Sequence, residues 1–107
     1  MLIRQGDVLL IPCNPEDVWG NPVAPDPQRG FVLMEGEATG HAHTIVAESG
    51  VELVTAEEAE ELRMWLLLEV EAELTHPEHK PLLVPPGTYE VRRQREYDPQ
   101  AIRMVSD

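Results

Sequence analysis

The histidines are the residues of this chain whose type and spacing favour chemistry most directly. All four lie in two short segments, as the pair His41 and His43 and the pair His76 and His79. Neutral imidazole is the commonest protein ligand for zinc and similar metals, and a site needs three or four such groups around one point. We therefore predict that the two pairs form one metal site, with zinc as the first choice and iron, nickel or manganese as alternatives.

Two glutamates lie close to these pairs in the sequence. Glu78 stands between His76 and His79, and Glu48 follows the first pair. Four histidine ligands would close the coordination sphere and serve structure, whereas three ligands would leave an open position for catalysis. In the second case Glu78 or Glu48, if not coordinated, is the candidate general base. The sequence leaves both possibilities open, so it does not decide whether the chain is an enzyme.

The first histidine pair lies in a predicted strand over residues 39–47. Side chains alternate across a strand, so His41, His43 and Ile45 share one face. The two imidazoles therefore point the same way, beside an apolar neighbour. A site of four histidines then requires the second pair to reach this face from a later part of the chain.

The remaining elements are mostly predicted strands and turns. Apolar runs and period-two alternation predict further strands, at residues 8–11, 31–34, 65–74, 82–84 and 88–97. Residues 12–30 contain five prolines and predict a long loop. Thr55 as N-cap and Glu58 as its capping-box partner predict one short helix over residues 55–63. The tail, residues 98–107, is left unassigned.

These elements together predict a mainly β fold. Short strands, proline-rich turns and one short helix favour a small antiparallel β-barrel or β-sandwich. The chain of 107 residues has the length of one ordinary domain, so residues 1–107 are predicted to form a single β-rich unit. A small barrel or sandwich of this kind can hold a metal site between its strands.

Charge and cysteine content limit the partners and the compartment. Twenty acidic residues against eight basic ones give a formal charge of -12, which repels phosphate backbones and anionic lipids. We therefore expect neither nucleic acid nor a membrane as partner, but a small-molecule ligand or another protein chain, with a homo-oligomer as one option. Cys13 is the only cysteine, so no internal disulfide forms, and a cytoplasmic location is expected.

Half of the chain resembles the cupins in its motifs. Gly36, His41, His43 and Glu48 follow the order of the first cupin motif, and Pro85-Pro86-Gly87 matches the PxG turn of the second. At later positions of that second motif, Glu90 replaces the histidine and Gln94 the asparagine, while His79 replaces its first glycine. The resemblance implies a double-stranded β-barrel with His41, His43 and Glu48 as metal ligands, and Glu90 or a histidine of the second pair as the fourth. The chain also resembles short bacterial proteins with GHxH and HxxH blocks, which implies no activity.

Three functions from different classes are compatible with the sequence. The first is a metal-binding barrel, with catalysis on a small polar substrate as one option. The second is a non-enzymatic binding or sensing module whose histidines hold a structural metal or titrate near neutral pH. The third is an assembly subunit in which the histidines are incidental. Coordinates that separate the two histidine pairs would favour the third.

Overall fold

The protein is described by a computed structural model over residues 1–36 and 41–94. Within these ranges the chain forms ten strands and one short 3-10 turn, Pro15–Asp17. The strands are β1 (Ile3–Gln5), β2 (Val8–Pro12), β3 (Asn21–Pro22), β4 (Phe31–Glu35), β5 (Ala42–Val46), β6 (Val51–Glu58), β7 (Glu61–Leu68), β8 (Ala72–His76), β9 (His79–Val84) and β10 (Gly87–Arg93). No helix in the described ranges has the length and apolar character needed to cross a bilayer.

The strands form two antiparallel sheets. One has six strands in the order β1-β2-β10-β7-β6-β3, and the other has four in the order β4-β5-β8-β9. Over the described residues the sheets do not close into one barrel, and the arrangement is that of a sandwich. The predicted mainly β, antiparallel fold is therefore confirmed, as a sandwich rather than a closed barrel.

The core lies between the inner faces of the two sheets. It is almost entirely aliphatic, because the strands of both sheets place alternate Leu, Val and Ile side chains toward each other. Its fully buried members include Val8, Leu10, Ile45, Leu66, Leu74 and Val84. At about 25 cal/mol per Å² of buried apolar surface, these side chains supply the main force holding the sheets together.

The proline-rich loop is attached to the outer face of the six-stranded sheet. Val18 and Cys13 pack against a small cluster around the fully buried Trp65, and the ring of Trp19 lies 6.3 Å from that of Trp65. Within the loop, β3 pairs as an edge strand with Val54 and Thr55 in the middle of β6, and an edge strand is where a sheet tolerates proline. Cys13 is thus an apolar filler beside this cluster.

The helix predicted over residues 55–63 is wrong. These residues belong to the β6–β7 hairpin, whose two-residue turn is Ala59-Glu60, both with positive φ, 50° and 66°. The capping-box pattern is a local preference, and it is overridden because β6 and β7 pair along their whole length, from Val51 opposite Leu68 to Glu58 opposite Glu61.

The single strand predicted over residues 65–74 is also wrong. β7 ends at Leu68 and β8 begins at Ala72, and the two belong to different sheets. Both sheets bury a face in the same core, so Leu66, Leu68, Ala72 and Leu74 are all buried, whereas Val70, in the break between the strands, is 48% exposed. Parts of the strands predicted over 39–47 and 88–97, and the whole tail 98–107, lie outside the described residues.

Candidate metal centre

The four-stranded sheet brings the two histidine pairs together through its register. Thr44 on β5 pairs with Thr75 on β8, so the next position along places His43 beside His76. On β9, His79 pairs with His76 across a two-residue turn. Directly opposed residues of an antiparallel sheet project from the same face. The three imidazoles therefore form a row across β5, β8 and β9.

The ring spacings are those of a compact cluster. Ring centroids lie 4.3 Å apart for His43 and His76, 4.8 Å for His76 and His79, and 5.8 Å for His43 and His79. The ring of His41 lies 5.8 Å from that of His76. Zinc–nitrogen bonds of about 2.0 to 2.1 Å in a tetrahedron would hold ring centroids roughly 5 Å apart. The observed spacings of 4.3 to 5.8 Å lie on both sides of this value.

The rings do not converge as they stand. Among residues 1–36 and 41–94, no three His, Cys, Asp or Glu side chains are arranged to hold a metal ion. The planes of His43 and His79 are inclined by only 25°, so these rings stack, whereas ligands of one ion direct nitrogen atoms at a common point. Coordination therefore requires rotation of side chains. In the row, His43 is buried, His76 is half-buried and His79 is exposed.

The most buried member of the cluster is His43, with 4% of its surface exposed. Its Nδ1 lies 2.9 Å from Oε1 of Gln5, which is itself 1% exposed. Burial, followed by the nearby imidazoles of His76 and His79, lowers the pKa of His43 to about 4. The ring is therefore neutral at neutral pH, which is the form that binds metal.

His76 is held by its own hairpin turn. The backbone N–H of Glu78 donates to Nδ1 of His76 at 3.0 Å. Burial, followed by the neighbouring His79 and His41, lowers the pKa of His76. A neutral ring that accepts at Nδ1 carries its proton on Nε2. Coordination through either nitrogen would thus break the bond to Glu78, at a net cost of about 1 kcal/mol.

Glu78 also contacts the last histidine. Its carboxylate Oε1 lies 3.3 Å from Nδ1 of His41, with side chains 68% and 31% exposed, respectively. An exposed pair of this kind contributes at most about 1 kcal/mol. Glu78 therefore contacts both His41, through its carboxylate, and His76, through its backbone N–H.

A cavity of about 390 Å³ opens beside the cluster. Its walls contain His43, His76 and His79, and its remaining lining is Asp7, Met34, Glu35, Gly36, Glu78 and Arg93. Arg93 donates to the carboxylate of Asp7 at 3.3 Å. Three carboxylates against one guanidinium leave the walls with a negative balance, which favours a cation.

A family model described as "Domain of unknown function (DUF8820)" matches residues 4–94. The chain belongs to the DUF8820 family. No curated protein matches the chain, and no solved structure does either. The matched region of this DUF8820 domain contains all four histidines and Gln5, so the whole cluster lies within the family domain.

The two glutamates that the cupin resemblance adds to the ligand set lie away from the cavity. Glu48 is exposed beyond the far end of β5, and it does not line the cavity of this DUF8820 domain. Glu90 lies in the other sheet, on β10, where Arg63 and Arg92 donate to its carboxylate at 3.1 Å and 3.3 Å. Neither carboxylate is brought together with the histidines.

Gln5 is the residue at this site that sequence reasoning missed. Its amide Nε2 donates to the carbonyls of Leu74 and Lys80 at 2.9 Å and 2.8 Å, and its Oε1 faces His43. A single glutamine at the end of a short strand belongs to no motif. The one available signal is a polar residue directly before the Gly6-Asp7 turn, and that signal indicates a turn rather than a site.

Proposed function

We propose that this domain binds a divalent transition metal, zinc foremost, through His43, His76 and His79. The observation that carries the proposal is the mutual proximity of these three rings, with centroids 4.3 to 5.8 Å apart in every pair. Imidazole nitrogen suits zinc, nickel and iron better than the harder manganese. The low pKa of His43 supports the proposal because that ring needs no deprotonation to bind.

His41 has a different part in this proposal. Its ring lies 5.8 Å from that of His76 and at nearly a right angle to it, and its Nδ1 contacts Glu78. It would complete the coordination sphere as a fourth ligand if its contact with Glu78 were broken. The other three histidines by themselves would leave one position open.

Chemistry on a small polar substrate is the second candidate function. It is favoured by one observation, that the Glu78 carboxylate lines the same cavity as three of the histidines. A metal with an open position would act there as a Lewis acid, and Glu78 would accept a proton as general base. Glu48, the other predicted base, has no comparable position.

The experiment is a zinc titration of the full-length chain without an affinity tag, after treatment with a chelator. Competition with a chromophoric chelator should give one zinc ion per chain, and parallel titrations with nickel, iron and manganese rank the metals. His76→Ala and His79→Ala should each abolish stoichiometric binding. Glu48→Ala is the matched control, since it removes the ligand implied by the cupin resemblance and lies outside the cavity.

Two results would contradict the proposal. If the parent protein is folded but binds no metal, the metal-binding proposal is wrong, and the non-enzymatic binding or assembly functions remain. Loss of zinc in Glu48→Ala, with binding retained in His76→Ala, would replace the three-histidine site by the cupin-like ligand set.

A further inference from the structure

Gln5 is a polar side chain completely enclosed by the sandwich. It lies at the end of β1 and is 1% exposed. Its three hydrogen bonds reach His43, Leu74 and Lys80, which follow it in the chain by 38, 69 and 75 positions. A buried polar group is retained at little cost only when its hydrogen bonds are satisfied. Those of Gln5 are satisfied by strands β5, β8 and β9, which are the strands that carry the histidine row.

The two carbonyl partners fix the orientation of the Gln5 amide. Only Nε2 can donate to the carbonyls of Leu74 and Lys80, because an amide oxygen in that place would face two other acceptors. Oε1 is therefore the atom that meets His43. Since Oε1 can only accept, Nδ1 of His43 must be the donor in the 2.9 Å contact.

The carbonyl of Leu74 lies beside an irregularity in the sheet. The pairing of β8 with β9 shifts register between Leu74 and His76. An irregular ladder leaves backbone groups that need other partners. Gln5 is such a partner, because its amide donates to the Leu74 carbonyl. The same register shift lies next to the position where His76 pairs with His79. The glutamine thus joins the irregular ladder to His43.

We propose that Gln5 is a positioning residue that holds His43 as its Nδ1–H tautomer, so that Nε2 carries the lone pair offered to the metal. This inference rests on the proposed function, which makes His43 a metal ligand. It adds the coordinating atom of His43 and the residue that selects that atom. Hydrogen bonds of this kind, from the second nitrogen of a ligating histidine, fix both tautomer and ring orientation.

The first measurement needs no metal. Nitrogen-15 correlation spectra of the metal-free protein at neutral pH report which nitrogen of each imidazole carries the proton. In the parent protein His43 should show the Nδ1–H form. Gln5→Met, which removes the acceptor, should lose that fixed form. Gln5→Glu keeps an oxygen toward His43 and should retain it, although this variant loses the amide donor to Leu74 and Lys80 and should unfold more easily.

The second measurement is zinc affinity of the same proteins. Gln5→Met should bind zinc roughly 10- to 100-fold more weakly than the parent, the range found for partners of ligating histidines. Thr44→Val is the matched control. It removes a 3.0 Å hydroxyl contact to Thr75 between β5 and β8, one residue from His43, without touching the Gln5 hydrogen bond. Its zinc affinity should stay within about threefold of the parent, since only stability changes.

The outcomes separate this inference from the metal proposal. An unchanged Nδ1–H form of His43 in Gln5→Met overturns the inference, and so does loss of that form with unchanged zinc affinity. An Nδ1–H form that depends on Gln5 in a protein that binds no zinc supports the assignment of the tautomer and contradicts the metal proposal alone. If Gln5→Met does not fold, an Nε2–H form in Gln5→Glu overturns the inference.

Discussion

The two members of the first histidine pair have opposite surroundings. His43 is 4% exposed and bonded through Nδ1 to the buried Gln5, whereas the side chain of His41 is 31% exposed and contacts a glutamate that is mostly in solvent. We call Gln5 and His43 the buried side of the cluster, and His41 and Glu78 its rim. The difference shows that the HxH pattern supplies two imidazoles, while tertiary structure gives one of them a buried hydrogen-bond partner and the other a partner at the surface.

Burial also makes the contact between Gln5 and His43 energetically more important than the contact between His41 and Glu78. Removing one partner of a buried hydrogen bond leaves the other unsatisfied and costs about 1 to 3 kcal/mol. An exposed ion pair contributes between 0 and about 1 kcal/mol. The 3.3 Å contact between His41 and Glu78 therefore constrains its ring much less than the 2.9 Å contact between His43 and Gln5.

The largest expected effect is on zinc affinity, measured for alanine variants of His43 and His41. His43→Ala should weaken zinc binding roughly 1000-fold, which corresponds to about 4 kcal/mol. His41→Ala removes the imidazole proposed as the fourth ligand, so its loss of affinity should be less than about tenfold. Chelator competition measures both, with circular dichroism of the metal-free proteins as the check on folding. Equal losses of zinc affinity in the two variants would mean that His41 and His43 are equivalent ligands.

The next effect concerns acid stability without metal. The pKa of His43 is about 4 in the fold against 6.5 ordinarily, so the unfolded chain binds the extra proton between these values and the fold loses stability as pH falls through this window. The imidazoles of His76 and His79 and the carboxylate of Asp7 face the same ring. The loss is at most about 3 kcal/mol.

Urea unfolding at several pH values tests this contribution. His43→Gln should lose much of the dependence between about pH 4 and pH 6.5. His41→Gln, which removes the more exposed imidazole, should retain it. A parent protein equally stable at both ends of the window would show that His43 takes up its proton in the fold without penalty.

Sequence patterns predicted the β class because alternation is a local property of each strand. They also predicted that His41 and His43 share one face of a strand, but β5 begins at Ala42 and contains only His43 of this pair. They did not specify which strands would be neighbours, and the row of His43, His76 and His79 exists only because β8 lies between β5 and β9. That order is a result of packing both sheets on one core.

Two other features show the same limit. Glutamate-rich residues around Thr55 match a helix by local preference, but pairing of β6 with β7 determines their structure. Gln5 has no local signature at all, because its partners lie in strands far away in the sequence. The residue types of a site are visible in a sequence, whereas the buried partners that prepare them depend on tertiary structure.

The smallest effect tests whether the buried side extends to the turn after Gln5. Gly6 has φ of +57°, and a Cβ there would lie 2.6 Å from Nε2 of His79. Gly50 offers a matched control, because its φ is +81° and a Cβ there would meet Val70 at 3.1 Å, away from the histidines. Both alanine variants therefore carry the left-handed backbone penalty of about 1 to 2 kcal/mol.

Only Gly6→Ala should alter the metal site as well. The added methyl group displaces the ring of His79, so zinc affinity should fall about tenfold, or about 1.4 kcal/mol, while Gly50→Ala keeps the parent affinity. Unfolding curves and zinc titrations of both variants separate the shared backbone penalty from the effect on the ligand. Equal zinc affinities would show that His79 moves freely away from Gly6, and the buried side would then end at His43.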